Sequence, residues 1–113
     1  MLERLFGNQT TEKILFFLLN NTTCYAKRLS DHFKVSLFTM QQALLKLEKA
    51  GILISFKEGN IRYYDWNPRY PLLTELQAFL KKGFSFLPPK YQLLYLPKER
   101  TRPRRTGKPF SLP

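Results

Sequence analysis

At Gly51 the spacing of apolar residues changes from helical to two-fold, and few architectures accommodate that change. Upstream, Met40, Ala43, Leu44, Leu47 and Ala50 form the inward stripe of a helix that Ser36 is placed to cap and Gly51 to close. Downstream, Ile54 and Phe56 alternate with Ser55 and Lys57, and Ile61, Tyr63 and Asp65 alternate with Arg62, Tyr64 and Trp66. Gly59-Asn60 lies between the two runs and is predicted to supply the positive φ angles of a tight hairpin turn. A helix that hands over directly to a hairpin makes that hairpin a candidate wing.

The residues before Ser36 supply two further helices. The first is predicted to begin at Thr10 or Thr11, either of which can cap it, and to run from Glu12 through Leu19 to the Asn20-Asn21 breaker. It is apolar nearly all round, so it must be covered on more than one side, by the C-terminal segment or by a second copy of the chain. A homodimer is the economical reading. The second helix, with Thr22 or Thr23 as cap, places Tyr25, Ala26, Leu29 and Phe33 on one face and leaves Lys27, Arg28, Asp31 and Lys34 outside it. A tight Lys34-Val35 connection then joins it to the Ser36 helix, which makes a helix-turn-helix.

A last helix is predicted to open at Pro71, to bury Leu72, Leu73, Leu76, Phe79 and Leu80, and to end in Lys81-Lys82-Gly83. The expected fold is therefore mainly α with a small β-hairpin wing, a winged helix-turn-helix followed by a C-terminal helix and a basic tail. Residues 1–83 form the domain, 84–97 an apolar strap over it, and 98–113 a Pro-punctuated basic tail expected to be disordered.

Nineteen Lys and Arg against eight Asp and Glu give a formal charge of +11, a field that favours polyanionic partners, with nucleic acid first. One cysteine, Cys24, allows no internal disulfide. The start of the chain has no signal-peptide pattern, and the longest apolar run, Ile14 to Leu19, is too short to span a bilayer, so a cytoplasmic location is expected. No serine nucleophile, paired carboxylate or glycine-rich phosphate loop stands out, and Cys24 with His32 cannot build a zinc site, so neither an enzyme nor a cofactor or metal is expected. His32 beside Asp31 reads as a surface or capping arrangement. Cys24, close to a helix start, is either a redox-sensitive thiol of lowered pKa or a buried inert one.

The order of elements and their residues together resemble the ArsR-like winged helix-turn-helix regulators. Leu5-Phe6-Gly7 with Lys13-Ile14-Leu15 and Leu18-Leu19 matches the entry helix, and Tyr25-Ala26-Lys27-Arg28-Leu29 the middle. Val35-Ser36, Thr39 and Leu44-Leu45-Lys46-Leu47-Glu48-Lys49-Ala50-Gly51-Ile52-Leu53 match the recognition region, and Gly59-Asn60-Ile61-Arg62-Tyr63-Tyr64 leading to Asn67-Pro68 matches the wing. The resemblance implies a dimeric transcription regulator of double-stranded DNA, with the recognition helix in the major groove and the wing along the backbone. Small relatives of this pattern sometimes act beside nucleotidyltransferase or toxin-like partners. Metal-sensing members carry a Cys-x-Cys pair before the recognition helix, where this chain has Lys27 to His32, so metal sensing is not carried over.

On the recognition helix, Thr39, Gln41, Gln42, Lys46 and Lys49 are the polar and basic groups available to a duplex; Gln suits adenine edges and Lys suits phosphates. At the hairpin tip, Lys57, Asn60 and Arg62 can reach phosphate or the minor groove. Each set is also what a solvated surface would show, and for the helix its place in a helix-turn-helix favours the duplex. Tyr63, Tyr64 and Trp66 can stack on unpaired bases or pack across the strands, and packing is the favoured reading. Leu37, Phe38 and Leu45 make the reading face unusually apolar, fit either for thymine methyl groups or for a protein partner. In the tail, Arg100, Arg102, Arg104, Arg105 and Lys108 read as backbone or minor-groove anchors. The alternative is an adaptor in which the winged helix binds a protein through Phe38 and Leu45.

Overall fold

A computed structural model of the chain describes residues 2–97. The tail residues Arg100, Arg102, Arg104, Arg105 and Lys108 lie outside the described residues. In chain order the elements are α1 (Glu3–Phe6), α2 (Gln9–Asn20), α3 (Ala26–Phe33), α4 (Leu37–Lys49), β1 (Leu53–Glu58), β2 (Ile61–Trp66), α5 (Leu73–Ser85) and α6 (Pro89–Gln92). The chain folds as a winged helix-turn-helix: α3 and α4 form the helix-turn-helix and the β1–β2 hairpin forms the wing.

The core is built on α2. Ile14, Leu15, Phe16, Phe17 and Leu18 are all buried, because α4 packs on one side of the helix, α5 on another, and the chain after α5 on a third. Of the two covers a helix apolar all round can take, the C-terminal segment is the one this chain provides. Phe84 and Tyr95 close on Phe16 with edge-to-face rings whose centroids lie 5.6 and 5.4 Å from it. Asn21 donates through Nδ2 to the carbonyl of Tyr95 at 2.9 Å, and Trp66 Nε1 donates to the carbonyl of Leu18 at 3.2 Å, so strap and wing are both tied to the end of the same helix.

Several local expectations change. The cap of α2 is Asn8, whose side chain accepts from the Thr11 amide at 2.8 Å; Thr10 and Thr11 lie inside the helix. No side chain caps α3, because its N-cap is Tyr25, whose side chain has no short acceptor to reach the first helical amides. Thr22 and Thr23 precede a residue already committed elsewhere: Cys24 bridges Tyr64 through two backbone hydrogen bonds of 3.1 and 2.8 Å, adding one residue pair to the free edge of β2. Ser36 does cap α4, accepting from the Thr39 amide at 3.1 Å. Ala50 lies exposed at the C-cap, and Gly51 turns the chain with φ +85°. In the wing turn the left-handed angle falls on Gly59 alone, at φ +63°, while Asn60 keeps negative φ. The single non-glycine residue with positive φ among the described residues is Lys34, at the end of α3.

The last long helix also sits later than its sequence signals. Pro71 and Leu72 form a turn, α5 begins at Leu73, and Leu80 is its one fully buried residue, with Leu72 and Phe79 exposed. Gly83 does not end the helix. A Cβ at Gly83 would stand 3.4 Å from Leu2 Cδ1 and 3.8 Å from Phe16 Cζ, ordinary contact distances, and the helix continues past it to bring Phe84 to the core.

Candidate nucleic-acid interface

Burying Met40, Ala43, Leu44 and Leu47 fixes which way α4 presents its other residues. Phe38, Gln42, Leu45 and Lys49 follow one another at helical spacing along the crest opposite the core. Thr39 and Lys46 lie on one flank. Leu37, Gln41 and Glu48 lie on the other, which faces the wing. All the sequence-selected residues of this helix are exposed. Thr39 is partly committed, since its hydroxyl accepts a hydrogen bond from Ser36 Oγ at 2.8 Å as part of the cap.

The wing is locked to α4 by a polar relay. Ser55 Oγ donates to Glu48 Oε2 at 2.7 Å, and Arg62 Nη1 donates to Ser55 Oγ at 3.0 Å. Register explains why these side chains meet: Leu53 pairs with Trp66, Ser55 with Tyr64 and Lys57 with Arg62, so all six side chains lie on the sheet face turned toward the body. Leu53 and Tyr64 are buried there, and Tyr64 titrates above its ordinary value, first through burial and then through the Glu48 carboxylate. Between α4 and the wing lies a hollow of about 450 Å³ whose lining includes Lys27, Leu37, Gln41, Asn60 and Arg62. The structure thus brings Gln41, Asn60 and Arg62 around one space, adds Lys27, whose place outside the apolar face of α3 gives no local sign of it, and places Thr39, Lys46 and Lys49 outside its lining.

The aromatic residues of the wing divide by face. Tyr64 and Trp66 pack inward, as favoured from sequence. Tyr63 lies on the outer face, its ring stacked against Phe56 at 5.8 Å and met edge-on by Tyr25 at 5.4 Å. Cys24 is fully buried, and burial, with the Asp65 carboxylate adding to it, pushes its thiol up to about 12. The reading of Cys24 as a thiol of lowered pKa is therefore overturned: away from water its anion is disfavoured. Among the described residues no group of three or more His, Cys, Asp or Glu is placed to hold a metal ion. No helix of the described residues is long and apolar enough to cross a membrane.

Comparison with known proteins returns structural likenesses. A mutant of Lactococcus lactis ZitR is similar at TM-score 0.47 and 16% identity, over 76% of this chain and 67% of that one. The apo form of the same mutant is similar at TM-score 0.47 and 15% identity, over 82% of this chain and 80% of that one. No protein-family model and no curated protein matches the chain. The fold assignment rests on the element order, the hairpin register and the packing of α2 described above.

Proposed function

We propose that this chain is a DNA-binding transcription regulator of the ArsR-like kind, with α4 in the major groove and the wing on the adjacent backbone. It is read as a cytoplasmic binding protein without catalysis of its own. The observation that supports this best is the Glu48–Ser55–Arg62 relay, because it holds the exposed face of α4 and a cationic hairpin tip in one fixed relation. A preset spacing of this kind suits a duplex, whose groove and phosphates are themselves at fixed separation. Gln41 and Gln42 are the base readers in this reading; Lys46, Lys49, Lys57, Asn60 and Arg62 position the backbone, and the tail adds sequence-independent affinity. Thr39, held in the cap, is a weaker reader than its neighbours.

A homodimer fits the same reading. With α2 covered inside one chain, its support comes instead from α5 and its two caps, where Leu72, Phe79 and Phe86 recur every seventh residue and are exposed, with Leu5 also exposed. Two recognition helices brought together in this way would read half-sites about one helical turn apart.

Fluorescence anisotropy on duplexes at several salt concentrations tests the proposal. Replacing Lys57 and Arg62 by Ala is expected to weaken binding to all sequences and flatten the salt slope, whereas Gln42→Ala is expected to relax base preference while leaving the slope unchanged. Absence of duplex binding by the full chain at low salt would overturn it. One observation favours the adaptor reading: Phe38, at the crest of α4, is 68% exposed, and a nearby Leu45 is 39% exposed. In that reading the crest docks on a protein, with a nucleotidyltransferase or toxin-like partner suggested by the resemblance, and Phe38→Ala loses the protein partner while keeping its affinity for DNA.

A further inference from the structure

The strap does more than cover the core: where it ends, it walls a second concavity along α3, which adjoins the wing hollow at Tyr25 and Lys27. This groove, of about 500 Å³, is lined by Phe17 and Asn21 from the end of α2, by Tyr25, by Lys27, Arg28, Asp31 and His32 of α3, and by Lys34 and Leu96. Its volume falls within the range of small-molecule sites.

Charge in the groove is unbalanced. Lys27 and Asp31 satisfy each other at 3.1 Å. Arg28 and Lys34 have no carboxylate partner among the described residues. Arg28 is positioned by packing, its guanidinium lying 5.2 Å from the centroid of the Phe17 ring, which orients the planar donor set without consuming it. Lys34 stands at the left-handed residue that ends α3, so the turn of the helix-turn-helix fixes where its side chain starts. Phe17, buried beneath Arg28, floors the groove, and Tyr25 and Leu96 supply its accessible apolar wall.

The strap side of the groove is held by two hydrogen bonds. His32 Nε2 meets the carbonyl of Leu94 at 2.7 Å, and Asn21 Nδ2 donates to the carbonyl of Tyr95 at 2.9 Å. The first of these fixes the imidazole with Nε2 as the donor, since a carbonyl only accepts. The ring also packs edge-on against Phe33, at 4.7 Å, and against Phe17, at 6.1 Å. One imidazole therefore touches the strap, α2 and the groove at once.

We propose that this groove binds a small organic anion, a phosphate or carboxylate on a flat apolar body, with Arg28 and Lys34 taking the charge and Tyr25 and Leu96 the body. Two unpaired cations select the anion, and the apolar wall separates such a ligand from an inorganic ion. Because the strap supplies Leu96 and is pinned through His32 and Asn21, an occupant contacts α3 and the strap together. It thereby biases how firmly the strap is seated. The site stands whether or not α4 binds a duplex.

The chain contains one histidine, so the imidazole resonances of the full-length protein report on the groove without assignment ambiguity. Titration with phenyl phosphate, with benzoate, and with inorganic phosphate is expected to give saturable shifts for the aromatic anions and weaker binding for the inorganic ion. Arg28→Gln and Lys34→Gln are each expected to weaken the aromatic anions roughly tenfold, the effect of losing one charge-assisted hydrogen bond. Lys82→Gln, on α5, is expected to change nothing. No saturable shift at millimolar ligand, or an equal loss in Lys82→Gln, overturns the proposal. So does a result in which duplex DNA moves the imidazole and loses affinity in Arg28→Gln while phenyl phosphate has no effect, because the groove would then belong to the DNA backbone.

Discussion

Two helices of this chain are richer in apolar residues than a helix with one buried face requires, and the fold treats them differently. In α2 every residue from Ile14 to Leu18 is buried, so the excess is consumed by cover from α4, α5 and the strap. In α4 the inward stripe is buried and complete, yet Phe38 and Leu45 remain at the surface on the opposite side. The excess in α2 is thus explained by stability. The excess in α4 is not, which is why its crest is read as a contact surface.

Phe16 carries this difference most directly, because there α2 meets Phe84 of α5 and Tyr95 of the strap. Phe16 is fully buried against Phe84 and Tyr95, so Phe16→Ala removes a large ring from a closed site with no small residue able to fill the space. A loss of about 3–5 kcal/mol in chemical denaturation is expected. A loss below about 1 kcal/mol would show that the strap does not close on α2 in solution, since an open site costs no cavity.

High pH probes the same region without a substitution. Burial pushes both the Cys24 thiol and the Tyr95 hydroxyl up to about 12, from ordinary values of 9.0 and 10.0, with the Glu12 carboxylate adding to the shift of Tyr95. Both groups hold their protons more tightly folded than unfolded. The stability they contribute is therefore intact below about pH 9 and is lost as pH rises from there toward 12. Denaturant midpoints are expected to fall over that window. Cys24 is also expected to resist alkylation at neutral pH until the protein is unfolded; rapid labelling of the native chain would contradict its burial.

How much of this was legible beforehand follows the range of the interactions involved. The hairpin, the Ser36 cap and the inward stripe of α4 through Leu47 are set by residues a few positions apart, and the pattern of the sequence showed them. The cap of α2 lies two or three residues before the expected one: Asn8 is a strong capping type, but Thr10 and Thr11 stand closer to the apolar run. The end of α5 lies beyond the expected one because Gly83 looks like a stop signal yet sits inside the helix without the left-handed angle that ends one. Nothing local announces the Cys24–Tyr64 bridge or the contact of His32 with Leu94, since each joins residues far apart in sequence. Gln41, Asn60 and Arg62 were chosen by type and position, and the fold gathers them; the Arg28–Lys34 groove needed the strap to return before it existed at all.

The smallest expected effect is the most informative about α4. Phe38 is exposed and has no ring partner among the described residues, so Phe38→Ala creates no cavity and should change stability by about 0.5 kcal/mol or less. A much larger loss would mean that the crest is covered in solution, by a second copy or by another part of the chain, and the contrast with α2 would disappear. If stability is unchanged, binding decides between the two readings of the crest. Weaker duplex affinity confined to sites rich in thymine points to methyl contacts in the major groove, because a ring that touches only thymine methyl groups cannot alter affinity where those groups are missing. Unchanged duplex affinity across all sequences, with loss of a protein that otherwise co-purifies, assigns the crest to a protein partner and leaves Gln41, Gln42 and the wing to account for whatever DNA the chain binds.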